Sequence, residues 1–287
     1  MNSQSAKLVT VWSPMGSPGK STIALSIASE LTDSGKRVFL LDADTYAPCL
    51  DVLLGLNDHP AGLAAACRLV GQERFDHDQL ARLSTQLTLG GGNLTVMTGL
   101  SSESRWPEVS AEKLDDLLMV ASAEFDFIIL DVASPISAGL GSLSSSVHRN
   151  AVTRWALGYS DLVISICGSD PISIARYLAA MAQMSELKPK GQVLTLVNRL
   201  RTSVLGSSAK QQIVETLATL GQITVNGFIP DDPAAADLAI RDCLPISVGK
   251  RSSQARLALA LFTRTQVLGE RSQLEGRLAK RAIAKLG

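Results

Sequence analysis

The chain has 287 residues, 46% hydrophobic but only 4% aromatic, and its 27 basic side chains balance 27 acidic ones. That length, with a core built from Leu, Ile, Val and Ala, suits one large α/β domain. The balanced charge excludes a chain-wide electrostatic grip on nucleic acid and leaves room only for a local basic patch.

Four cysteines (Cys49, Cys67, Cys167, Cys243) lie far apart with no Cys-x-x-Cys, and His59, His77 and His148 stand in unrelated contexts. This pattern offers no zinc site, iron–sulfur cluster or redox pair, and fits reduced thiols in a cytoplasmic protein. No apolar leader or bilayer-length apolar run is present, so neither secretion nor membrane spanning is expected.

In chain order, an apolar β-branched run, Leu8 to Trp12, predicts a strand over 8–12. It breaks into a Gly/Pro/Ser loop, and Gly19-Lys20-Ser21-Thr22 then opens an amphipathic helix predicted over 20–34. Strand, glycine loop and helix in that order are the context in which a phosphate-binding loop gains meaning. Backbone N–H groups from Gly16 through Ser17, Pro18 and Gly19 to Thr22 can surround phosphate oxygens at the helix N-terminus (proline adding shape but no donor). Lys20 would reach the β- and γ-phosphates and Ser21 would offer its hydroxyl to Mg²⁺.

The next strand, 37–42, ends in Asp42-Ala-Asp44. Carboxylates spaced i, i+2 share one face at the carboxyl end of a parallel strand, where ligands of open α/β sheets bind. Asp42 is placed with the metal, in its outer shell, and Asp44 is placed to orient an attacking water. Residues 57–89, with Cys67, Arg68, Arg74 and Arg82, read as helical, and Gly90-Gly91-Gly92 marks a turn before a strand at 94–97. A helix at 110–123 leads to a strand at 126–131, where Phe127-Ile-Ile-Leu-Asp131 puts an acid at the tip of a buried run. Asp131 is the expected Mg²⁺ support.

Residues 134–150, rich in Gly and Ser, are read either as a nucleotide-sensing switch or as a plain loop. Strands are then predicted at 161–167, 192–197 and 224–228, alternating with helices at 171–186, 208–219, 233–242 and 253–268. The repeated βα rhythm predicts a doubly wound, mostly parallel sheet of seven or eight strands with helices on both faces.

The three motifs, in this order and spacing, resemble the MinD/ParA family of dimerising P-loop ATPases, over nearly the whole chain. Pro14-Met-Gly-Ser-Pro-Gly-Lys-Ser-Thr with Asp42-Ala-Asp44-Thr-Tyr looks most like the CpaE/TadZ-like and septum-site-determining branch. Proteins of that branch often carry a receiver-like N-terminal domain, which is not expected here because about seven residues precede the first strand. The resemblance implies that Thr195-Leu-Val-Asn198-Arg199 reads adenine through its Asn, with Pro230 and Asp231 of Gly227-Phe-Ile-Pro-Asp flanking the base. It also implies ATP and Mg²⁺ as ligands, with Lys20 and Asp44 carrying any hydrolysis. A homodimer formed on ATP binding would position a septum or polar pilus or secretion machinery through a protein partner.

One departure stands out. The family's signature lysine, four residues before the glycine that precedes Lys20, is Met15 here, and the expected glycine at position 17 is Ser17. In the family that lysine crosses the dimer interface to the partner's phosphates. Met has neither charge nor donor, so binding survives this departure and efficient hydrolysis does not. An inactive nucleotide-binding scaffold therefore stands as an alternative. A DNA-partition ATPase gripping DNA through Arg199, Arg201, Lys250, Arg251 and Arg256 is another.

The ATPase domain is drawn over 1–268 and a basic tail over 269–287. In the tail Leu274, Leu278, Ala282, Ile283 and Leu286 recur at helical spacing beside Arg271, Arg277, Lys280, Arg281 and Lys285. Such a segment could lie on an anionic membrane, which would make the protein peripheral, or pack on the body, or stay unstructured. The apolar face is short and lacks Trp and Phe. Full-length chain and a truncation after residue 268 are accordingly expected to sediment alike with anionic vesicles. Salt-sensitive binding lost on truncation would instead establish a membrane helix.

Overall fold

The structure, a computed structural model, describes residues 5–16, 19–56, 62–138, 148–201, 206 and 208–270. Among them eight strands form one sheet: β1 Lys7–Trp12, β2 Val38–Ala43, β3 Thr85–Leu89, β4 Gly92–Met97, β5 Phe127–Val132, β6 Leu162–Gly168, β7 Gln192–Leu200 and β8 Val225–Pro230. Their order is β3-β4-β2-β5-β1-β6-β7-β8. All pairings are parallel except β3 with β4.

The strands β2, β5 and β6 are buried along their whole length, because every parallel crossover returns as a helix that covers one face. The two faces separate by residue parity. Val9, Val11, Val38 and Leu40 pack with Ile23, Ile27 and Leu31 of α1 (Lys20–Asp33) and with Leu259 and Phe262 of the C-terminal helix Gln254–Phe262. Trp12, Phe39, Leu41, Ile128 and Leu130 face the opposite layer. That layer holds α3 (Gly62–Val70), α5 (Ala111–Ser122) and α6 (Ala151–Tyr159), after the single-turn α2 (Leu50–Leu53) and with α4 (His77–Leu83) beside them. Toward β8 the same layer continues with α7 (Pro171–Glu186) and α8 (Ala209–Gly221), which bury Ile174, Tyr177, Ile213 and Leu217. This is the doubly wound architecture expected from the βα rhythm.

Three local readings change. Residues 85–89, read as the end of a helical stretch, form β3, an edge strand antiparallel to β4 across the Gly90-Gly91 turn. Residues 151–159, given no element, are α6. The last helix leaves α geometry at Thr263, where a π-turn runs to Val267. Helices 171–186 and 233–242 (α7 and α9) stand as expected, each with an Asp N-cap and a Pro in the first turn. The Gln254–Phe262 helix is α10.

The tail beyond residue 270 and positions 139–147 of the suggested switch lie outside the described residues. Among the described residues no helix is long and apolar enough to cross a membrane.

Candidate functional site

β1 lies between β5 and β6, so the loop after β1 opens at the carboxyl end of the sheet, where crossovers depart in opposite directions. Two glycines shape that loop. Gly16 has φ +83 and Gly19 has φ +101, values that side-chain-bearing residues rarely adopt. A Cβ at Gly19 would meet the Asn198 amide nitrogen at 2.6 Å, and one at Gly16 would collide with the Arg176 guanidinium. Gly19 is also the N-cap of α1, offering no side-chain cap, and the first turn holds no acid. The first N–H groups of α1 thus keep their affinity for an external anion. Ser17 and Pro18 lie outside the described residues.

Lys20 points back under the loop and is buried. Its ammonium donates to Asp44 Oδ2 at 2.9 Å, approaches Asp131 Oδ1 at 3.1 Å and donates to the Val132 carbonyl. Burial alone would lower its pKa, but Asp131 and Asp44 outweigh that cost and raise it. The three aspartates play different parts. Asp44 Oδ1 accepts the N–H groups of Tyr46 at 2.8 Å and Ala47 at 2.9 Å. Burial pushes Asp44 up, yet Lys20 and these bonds prevail and hold it below the ordinary carboxylate value.

Asp42 accepts the N–H groups of Cys49 at 2.8 Å, Leu50 at 3.0 Å and Asp44 at 3.2 Å, so both its oxygens organise the turn from 44 to α2. Asp131 sits opposite Asp42 in the β2–β5 register, fully buried, and neither of its oxygens completes a well-formed hydrogen bond. Burial, and then the Asp131 charge, push Asp42 up to about 8. Burial likewise raises Asp131, although Lys20 and Ser21 pull it back.

The residues expected to hold Mg²⁺ fit such a cation. Asp131 is a fully buried carboxylate that faces the Lys20 ammonium, at 3.1 Å, and the Ser21 side chain. Among the described residues no three acidic, His or Cys side chains form a closed cage, as suits an ion that takes one or two carboxylates and completes its shell with phosphate and water.

On the other side of Gly19 a cleft is lined by Thr22, Asn198, Arg199, Pro230 and Asp231, with Ile23, Leu53, Ile229 and Leu244 among its apolar walls. A bulge brings Asn198 here. The β7–β8 register slips between Val197 and Leu200, and Arg199 takes φ +53. Ser169 fixes that turn by donating to the Arg199 carbonyl at 2.6 Å.

The structure thus unites Gly19, Lys20, Ser21, Asp42, Asp44 and Asp131 at one end, and Thr22, Asn198, Pro230 and Asp231 at the other. Two features escaped the sequence reading. The Val132 carbonyl takes part in the Lys20 cage, and Arg176 of α7 lies over Gly16; neither has a local sequence signal, since each partner is remote in the chain. The Asp44 turn is latched as well. Arg149 donates to the Thr45 carbonyl at 2.7 and 3.1 Å and stacks on Tyr46, whose hydroxyl bonds Asn150 at 2.8 Å.

Residues 9–246 match the model of the CobQ/CobB/MinD/ParA nucleotide binding domain. The septum site-determining protein MinD of a Synechocystis species is 26% identical over 235 residues, covering 79% of this chain and 76% of that protein. A ParA family ATPase from Chlorobium tepidum superposes with a TM-score of 0.74 at 18% identity, covering 91% of this chain and 98% of that one. MinD from Pyrococcus horikoshii, solved with Mg-ADP, superposes with a TM-score of 0.67 at 16% identity over 92% and 97% of the two chains.

The raised pKa of Asp42 fixes the sign of a pH effect. Its neutral form is favoured in the folded state, so the stability it contributes is complete below the ordinary value of 3.8 and is lost as pH rises through about 8. Without divalent cations, the wild-type Tm should therefore lose ground to that of Asp42→Asn as pH rises across that range. Asp42→Asn, although less stable overall because an amide would face an N–H donor, should show a flatter profile. Identical slopes in scanning calorimetry would show that Asp42 is ionised throughout.

Proposed function

The chain belongs to the CobQ/CobB/MinD/ParA nucleotide-binding family, and on that premise we propose that it binds Mg-ATP, dimerises when it does so, and hydrolyses ATP slowly. The observation that carries this reading is the buried Lys20 ammonium, held at the open N-terminus of α1 between Asp44 and Asp131. Phosphate oxygens offer the same cation a third, external partner. With Lys20 turned toward them, Asp131 and Ser21 would hold the metal, and Asp42 would stand behind with its oxygens on backbone N–H groups. Mg²⁺ held there would neutralise charge on the phosphates. Asp44, its Oδ1 fixed by two N–H donors, orients the attacking water. Asn198, Arg199, Pro230 and Asp231 take the adenine in the adjoining cleft.

By analogy with relatives named for septum-site determination, the dimer switch acts in spatial positioning, of a septum or of polar pilus or secretion machinery, through a protein partner. A second reading, a nucleotide-binding scaffold without turnover, draws on Met15. Its side chain is 68% exposed at the mouth of the loop and supplies no cation where charge develops in the transition state.

Mg-ATP at a hundred times its Kd should stabilise the chain by about 2.7 kcal/mol. Lys20→Ala should abolish most of that gain, and a thermal shift equal to the wild type's would remove Lys20 from the phosphate site. Met15→Lys should raise steady-state phosphate release, because cations at this point in related phosphoryl transfers contribute on the order of 10³ in rate. Wild-type turnover already matching that of lysine-bearing relatives would make the missing cation dispensable and end the scaffold reading.

A further inference from the structure

Arg176 lies in the second turn of α7 and is exposed to solvent, with its guanidinium over the loop that follows β1. It covers the α-carbon face of Gly16, so closely that a single methyl group there would strike Nη1. The sheet brings it there. β6 pairs with β1 through Val11 with Ile164 and Trp12 with Ser165, so α7 begins at the same carboxyl end as the glycine loop. The Asp170 side chain anchors that beginning by accepting the N–H groups of Ile172 and Ser173 at 3.1 and 3.0 Å. Arg176 thus projects from a capped helix, not from a loop.

Its chemistry is unspent. Among the described residues no hydrogen bond or ion pair engages Arg176, while Lys20 is satisfied by two carboxylates and a carbonyl. A guanidinium kept over a phosphate loop without a carboxylate partner is suited to a phosphate group, which its planar fork grips in two places. Position along the loop decides which phosphate. Gly19 borders the cleft that takes the base, and Gly16 does not. The Gly16 end is therefore the distal end of the cradle, where a terminal phosphate sits.

We propose that Arg176 recognises the terminal phosphate of a nucleoside triphosphate bound in the same subunit, making this chain favour triphosphate over diphosphate without a cation at Met15. The inference rests on the nucleotide-binding reading above and adds the residue that distinguishes the two nucleotides. Because the contact is made in cis, the discrimination operates at protein concentrations below those of dimerisation.

The test is calorimetric titration of the full chain with Mg-AMPPNP and with Mg-ADP, for wild type, Lys20→Ala, Arg176→Ala and Arg176→Lys. Arg176→Ala should weaken the triphosphate analogue roughly tenfold to a hundredfold, the range of a charge-assisted hydrogen bond, and Mg-ADP by less than about threefold on the same scale. Arg176→Lys, which keeps the charge but not the fork, should recover part of the loss. Equal weakening of both nucleotides would show that Arg176 merely shapes the loop, and unchanged affinities for both would show that it is idle; either overturns the assignment. If Lys20→Ala loses binding while Arg176→Ala matches wild type, only the Arg176 proposal falls. If folded wild-type chain binds neither nucleotide, the nucleotide reading falls and takes this one with it.

Discussion

The centre of this molecule depends on a single buried ammonium group. Parallel pairing of β2 with β5 sets Asp42 and Asp131 side by side, and the turn after β2 adds Asp44. Three buried carboxylates so close together repel one another, and desolvation adds to the cost of ionising each. Lys20 offsets part of this by touching Asp44 and Asp131 together. The proton favoured at Asp42 offsets more. Removing one partner from a buried ion pair costs about 3–5 kcal/mol, because the charge left behind has no water to turn to. The same lysine is therefore a structural counterion as well as the proposed grip on phosphate, and a nucleotide bound there would have to outcompete the carboxylates for it.

That double role explains how firmly the surroundings are tied. Asp42 spends its oxygens on the N–H groups of Asp44, Cys49 and Leu50, so the turn carrying Asp44 cannot drift from Lys20. Arg149 and Asn150 hold the outer side of that turn through the Thr45 carbonyl and Tyr46. Both residues directly precede α6 and close the segment 134–150, read from sequence either as a switch or as a plain loop. Two side chains thus connect the start of α6 to the turn that carries Asp44.

The opposite side of the loop has the reverse electrostatics. Around Lys20 positive charge is fully matched, whereas at Gly16 the exposed Met15 side chain adds no charge and the Arg176 guanidinium has no partner among the described residues. In the resembling family the cation enters from the partner's loop; here one stands on a neighbouring helix of the same chain. Recognition of phosphate and acceleration of its transfer are then separable demands, and Arg176, as proposed, would meet the first without a second subunit.

Sequence alone determined much of this. Buried parallel strands announce themselves as apolar runs, because both faces are covered. Helices such as α7 and α9 carry their own start signals in Asp-Pro. Lys20, Asp44 and Asp131 were legible because each belongs to the carboxyl end of a strand: Asp131 near the tip of β5, Asp44 directly after β2, and Lys20 at the helix start beyond the loop that leaves β1. Edge strand β3 was not legible. Thr85–Leu89 is half exposed and short, and only its pairing with β4 makes it a strand, since its own hydrogen bonds are satisfied nowhere else. The work of Asp42 on three backbone donors, the bulge that turns Asn198 toward Gly19, and the approach of Arg176 to Gly16 were decided by tertiary structure. Each joins groups whose separation is set by strand register and helix placement, and no local propensity encodes a distance between two elements.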